Sequence, residues 1–124
     1  MRILLVDDEE EFVSTLAERL VMRAIDAEWT ANSLDAIKRV ESDTFDLAVL
    51  DLRMPKIGGF ALKEKLHAIQ PGMKFIFLTG YGSEEDFKSV TELLGEEFYL
   101  VKPVDIDALI AKMREALCGQ GEQS

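Results

Sequence analysis

Asp7 and Asp8 stand side by side at the end of an apolar run in "ILLVDDEEEF", and Glu9, Glu10 and Glu11 follow at once. Carboxylates crowded in this way repel one another unless a cation sits among them. A third aspartate, Asp51, ends a second apolar run in "AVLDLRMPKIGG". Two further runs end in Thr79 and Gly80 ("KFIFLTG") and in Lys102 and Pro103 ("FYLVKP"). Three carboxylates, completed by carbonyl and water oxygens, suit Mg²⁺, a hard cation that keeps part of its water shell. They offer no soft ligand for zinc or copper. A carboxylate can itself attack phosphorus to give an aspartyl phosphate. A lysine ammonium and a threonine hydroxyl are the donors that phosphoryl oxygens require.

Such chemistry needs the four run-ends in one place, and the patterning predicts that they meet. Strands are expected over 3–6, 27–30 and 47–50, then in "KFIFLTG" and "FYLVKP". Helices alternate with them. Phe12, Leu16 and Leu20 mark the first, with Asp8 available as a cap. Ala36, Ile37 and Val40 mark the second, capped by Asn32 or Ser33, and Leu62, Leu66 and Ile69 the third. Phe87, Val90 and Leu94 mark a fourth helix after Ser83. Ile106, Leu109, Ile110, Met113 and Leu117 mark the last. A βα unit repeated five times predicts an α/β domain with a parallel sheet covered by helices on both faces. The C-terminal strand ends then share one edge, where ligands bind at the point of strand-order reversal. With order 2-1-3-4-5 that point lies between strands one and three, which unites Asp7, Asp8 and Asp51.

The bulk properties agree with one domain. The chain has 124 residues, 48% of them hydrophobic and 31% charged, and a formal net charge of -10. That charge argues against unaided binding to nucleic acid or to an anionic membrane. The single cysteine, Cys118, allows neither an internal disulfide nor a structural zinc site. No apolar stretch approaches the roughly 20 residues of a membrane span, so a cytoplasmic protein is expected. Residues 1–118 read as the domain. Residues 119–124 read as a flexible tail or the start of a linker, so the chain is either stand-alone or cut from a longer regulator.

Together "LLVDDEEEF", "AVLDLRMPKIGG", "FLTGYGS" and "FYLVKP", in that order, resemble the receiver domains of bacterial two-component response regulators. The resemblance runs from Met1 to about Leu117 and implies a flavodoxin-like (βα)5 fold. It implies that Asp51 is the phosphoacceptor, taking a phosphoryl group from a sensor histidine kinase or a phosphotransfer protein. Mg²⁺ would be bound directly by Asp8, largely through water by Asp7, and by Asp51 and the Arg53 backbone carbonyl. Lys102, Thr79 and the Gly80 amide would hold the phosphoryl group, and the Lys102–Pro103 peptide would be cis. Thr79 and Tyr99 would be the switch residues, repacking the face made by the fourth helix, fifth strand and fifth helix. Arg53 and Tyr81 would tune hydrolysis of the acyl phosphate. The partners implied are the kinase, a downstream output domain or target, and a phosphorylation-dependent homodimer. In place of a common Gly-Ala pair before the fifth strand, this chain has Gly95, Glu96 and Glu97, which add negative charge near that face. "LTGYGS" is similar to receivers attached to DNA-binding transcription activators.

Taken singly, each of these residues has a plainer account. An acidic run after a strand is favoured by the helix dipole, and Asp51 before a Pro-Gly turn is a common turn residue. Lys102 before Pro103 can be a turn lysine, and Tyr99 can be sheet packing. Their convergence on one sheet edge is what separates them from chance. Rival functions fare worse. A dinucleotide-binding domain needs a glycine-rich turn after strand one, where this chain has carboxylates. A haloacid-dehalogenase-type phosphohydrolase needs a second aspartate two residues past the nucleophile, where this chain has Arg53. A receiver-like module without phosphorylation predicts missing site positions, and none is missing. The expectation is therefore a signalling switch, with no catalysis beyond its own phosphorylation and slow dephosphorylation.

Overall fold

The computed structural model describes residues 1–54, 56–80 and 99–118. Five strands, β1 (Arg2–Val6), β2 (Asp26–Thr30), β3 (Leu47–Asp51), β4 (Lys74–Thr79) and β5 (Tyr99–Val101), form one sheet. Every neighbouring pair is parallel, and the order is β2-β1-β3-β4-β5. Three helices, α1 (Glu10–Met22), α2 (Ser33–Ser42) and α3 (Gly59–Ile69), alternate with the strands, and a C-terminal helix spans Ile106–Cys118. The helix expected over residues 83–94, together with Tyr81, Glu96 and Glu97, lies outside the described residues, as does the segment 119–124. Among the described residues no helix is long and apolar enough to cross a membrane.

The strands read as unbroken apolar runs because a parallel sheet buries both faces. Alternation along each strand sorts the residues into two layers. Ile3, Leu5, Leu47, Val49, Ile76 and Leu78 face α1 and the C-terminal helix. Leu4, Val6, Ala48, Leu50, Phe75 and Phe77 face α2 and α3.

Helix starts differ in how they are closed. Asn32 caps α2, its side chain accepting from the amides of Leu34 and Asp35. Ser33 instead turns inward, 4% exposed, and donates to the Ile57 carbonyl at 2.9 Å. Asp8 does not cap α1. The N-cap is Glu9, which makes no side-chain capping bond, and its amide donates to Asp7 Oδ1 at 2.9 Å. The α3 face holds Leu62 and Leu66 fully buried, whereas Ile69, expected beside them, is 36% exposed. As the last residue of α3, Ile69 has no further turn to hold it on the sheet. The chain leaves at Gln70, whose amide nitrogen donates to the carbonyls of Val40 and Asp43 and whose oxygen accepts from the Phe45 amide.

Candidate functional site at the carboxyl edge of the sheet

Four of the five strands deliver the expected site residues. Asp7 and Asp8 follow β1, Asp51 closes β3, Thr79 closes β4 with Gly80 next, and Lys102 follows β5. Because all five strands run parallel, these ends meet on one edge. Asp7 is fully buried and Asp51 is 4% exposed, whereas Asp8 faces solvent. One carboxylate oxygen from each of Asp7, Asp8 and Asp51 lies within 4.8 Å of the others.

α3 presses tightly on the back of this edge. A Cβ on Gly59 would stand 2.7 Å from the Asp51 carbonyl oxygen and 2.9 Å from Leu52 Cα. Only glycine lets the helix start here, and its amide donates to the Leu52 carbonyl. The loop between β3 and α3 also holds Lys56 at φ 71°, a left-handed conformation that side chains other than glycine adopt rarely. Asp51 Oδ1 accepts from the Arg53 amide at 3.3 Å, and the Arg53 side chain points to solvent.

The electrostatics are those of charge held in too little water. Burial, and then the Asp7 carboxylate, push Asp51 up to about 7, with Lys102 acting in the opposite sense. Burial likewise raises Asp7, opposed by Lys102 and by the Glu9 amide. Burial works against the Lys102 ammonium, but Asp7 and Glu9 outweigh it and hold the lysine above its ordinary value. Lys102 Nζ lies 2.6 Å from Asp7 Oδ2, 2.5 Å from Glu9 Oε1 and 3.7 Å from Asp51 Oδ2. Asp7 Oδ2 meets this charge but receives no well-directed hydrogen bond, although it is buried. A buried oxygen left in that condition, in a cluster with two more carboxylates and, among the described residues, no imidazole or thiolate ligand, fits a hard divalent cation.

Of the remaining expected residues, Tyr99 is 7% exposed and packs in the layer shared with α2 and α3, paired in register with Phe77. The Lys102–Pro103 peptide is cis. Tyr81 falls outside the described residues. Sequence reasoning missed three contributors: Glu9 as a partner of Lys102, Phe12 with its ring 4.8 Å beneath the Lys102 ammonium, and Gly59. The spacing of Glu9 and Phe12, three apart at a helix start, was the available signal, since residues so placed share a face.

Comparison with known proteins gives one answer. The response regulator receiver domain family matches residues 3–114. The transcriptional regulatory protein GlrR of Escherichia coli is 33% identical over 93% of this chain and 26% of its own length. PhoP of Bacillus subtilis, an alkaline phosphatase synthesis transcriptional regulatory protein, is 32% identical over 94% of this chain and 48% of its own. The chain thus spans about a quarter to a half of these relatives. Among solved structures, a CheY-like receiver domain from Methanospirillum hungatei superposes with a TM-score of 0.84 at 32% identity, covering 99% of this chain and 98% of that one. A Burkholderia pseudomallei response regulator, 29% identical over 99% of this chain and 72% of that one with a TM-score of 0.78, carries a phosphorylated aspartic acid, a calcium ion and citrate. The five-stranded fold, the acidic edge and the match over nearly the whole chain agree: this chain belongs to the response regulator receiver domain family of two-component signalling.

Proposed function

We propose that Asp51 is the phosphoacceptor of this receiver domain, which occupies residues 1–118. The observation that carries the reading is the placement of Asp51: a nearly buried carboxylate with Asp7, Asp8 and Lys102 gathered round it. The phosphorylated aspartate and calcium ion of the Burkholderia relative support it. An Asp51 oxygen attacks the phosphorus of a phosphohistidine on a sensor kinase or phosphotransfer protein. The P–N bond breaks, and its electron pair returns to the imidazole.

Asp7, Asp8, Asp51 and the Arg53 carbonyl would hold Mg²⁺. Bound there, the cation supplies positive charge that offsets both the crowded carboxylates and the incoming phosphoryl oxygens. Lys102 offers its ammonium to one phosphoryl oxygen, and the Thr79 hydroxyl and Gly80 amide would donate to the others. Those contacts exist in only one state and so bias a two-state equilibrium. Moving a population from mostly inactive to mostly active takes roughly 5.5 kcal/mol, within reach of several charge-assisted bonds. Tyr99, buried at the start of β5, passes the change to the face made by the fourth helix, β5 and the C-terminal helix, which an output domain, target or second copy then reads. Arg53 and Tyr81 govern access of the water that slowly hydrolyses the acyl phosphate. The chain, of net charge -10, works in the cytoplasm without touching nucleic acid itself.

Intact mass spectrometry after incubation with acetyl phosphate tests the assignment. A single phosphoryl adduct is expected that needs Mg²⁺ and is lost in Asp51→Asn. An adduct that persists in Asp51→Asn would remove the assignment.

A further inference from the structure

Lys102 is not resting on Asp51. Of the three carboxylates around its ammonium, Glu9 takes the directed hydrogen bond, at 2.5 Å. The Asp7 oxygen meets it as an ion pair at 2.6 Å without that direction, and Asp51 stands off at 3.7 Å, beyond hydrogen-bond length. The Phe12 ring lies 4.8 Å from the same nitrogen, close enough for a cation–π contribution. Glu9 and Phe12 lie three residues apart at the start of α1, on one helix face. They make a seat for the lysine on the α1 side of the site, opposite β3.

We propose that Glu9 is a positioning residue that latches Lys102 to α1 and holds it away from Asp51, so that the lysine must leave Glu9 to reach a phosphoryl oxygen. The proposal rests on Asp51 being the phosphoacceptor. It also explains a residue that has no structural duty at its own position. Glu9 is the N-cap of α1, yet its side chain closes no amide of that helix, and it is 63% exposed. An exposed carboxylate of that kind gains its effect from the half-buried cation it holds. The latch sets the threshold for activation: a weak anion at Asp51 leaves Lys102 where it is, and a phosphoryl group draws it across.

The test uses ¹³C- and ¹⁵N-labelled lysine in the intact chain, with the Lys102 side-chain resonance identified by its loss in Lys102→Arg. Glu9→Gln and Glu9→Ala are compared with Glu10→Gln, which removes the same charge one residue further on. Glu9→Ala leaves the helix start intact, since no capping bond is lost. The Lys102 resonance is expected to shift in both Glu9 variants and to stay in Glu10→Gln. In the Glu9 variants the acetyl phosphate concentration for half-maximal phosphorylation is expected to fall roughly two- to fivefold, the scale of one part-exposed ion pair. An unmoved Lys102 resonance in the Glu9 variants would overturn the latch, as would an equal gain in Glu10→Gln, which would reduce the effect to net charge. Failure of the underlying reading looks different: the parent protein itself takes no phosphoryl group on Asp51, while the resonance still reports whether Glu9 holds Lys102.

Discussion

The carboxyl edge of the sheet and the side of β2 both gather aspartates and glutamates, yet the two regions treat them in opposite ways. Around β2, acids meet arginines in the open. Arg39 bonds Asp35 at 2.8 Å and Glu28 at 3.0 Å, while Arg2 pairs with Glu28, Asp26 and Asp43 and lies over the Phe45 ring. The guanidinium of Arg39 holds Asp35 below the ordinary carboxylate range. At the carboxyl edge Asp7 and Asp51 meet one lysine under cover, and burial pushes Asp51 up to about 7. The same side chain is a stabilising anion in one place and a carboxylate pressed to keep its proton in the other. Solvent and the ratio of positive to negative neighbours make the difference.

That contrast breaks most visibly with pH. Without divalent cation, between the ordinary value of 3.8 and about 7 an unfolded Asp51 has lost its proton while the folded one keeps it. The folded state then binds more protons, so stability falls as pH rises through this window, by roughly 4 kcal/mol at most from this group. Denaturant melts from pH 4 to 8 in EDTA should show the decline, and saturating Mg²⁺ should flatten it. Asp51→Asn should remove most of the slope and leave the metal-free variant more stable than the parent at pH 8. A parent protein whose stability rises steadily across this range would remove the distinction between the two regions.

A smaller effect sharpens the same point from behind the site. Gly59→Ala places a methyl 2.7 Å from the Asp51 carbonyl, which forces α3 outward. A loss of about 1–3 kcal/mol is expected, together with slower phosphorylation, since Asp51 moves with its backbone. Chemical denaturation and the acetyl phosphate assay measure the two. The smallest change belongs to β2's neighbourhood. Asp35→Asn should cost about 0.2–1 kcal/mol at pH 7, as exposed pairs do. Because the pKa of Asp35 is lowered, its contribution is present above the ordinary aspartate value and lost as pH falls below it, the reverse of Asp51. A pH series of the difference in melting midpoint reads this sign directly.

The ends of the strands were legible in the sequence for a simple reason. Apolar runs that stop at Asp7, Asp51, Thr79 and Lys102 must stop on one edge once the sheet is parallel, and strand order then brings Asp7 and Asp51 together. Contacts chosen by side-chain reach were not legible. The run of acids by itself does not single out Glu9, which meets a lysine 93 positions away; only its spacing from Phe12 sets it apart from Glu10 and Glu11. Asn32 and Ser33 were equal candidates for the cap of α2, because both can accept from a helix amide. Only the approach of the Ile57 carbonyl turns Ser33 inward and leaves the cap to Asn32. Ile69 kept the helical spacing of a core residue but sits where the helix runs out.

Ser33 and Gln70 act at opposite ends of the same seam. Ser33, the first residue of α2, holds the carbonyl just before α3 begins, and Gln70, just past the end of α3, holds carbonyls at the end of α2. Two helices stitched at both ends behave as a single plate. A push on the start of α3 from Asp51 is therefore spread over α2 as well, and bending is resisted across the whole of that side.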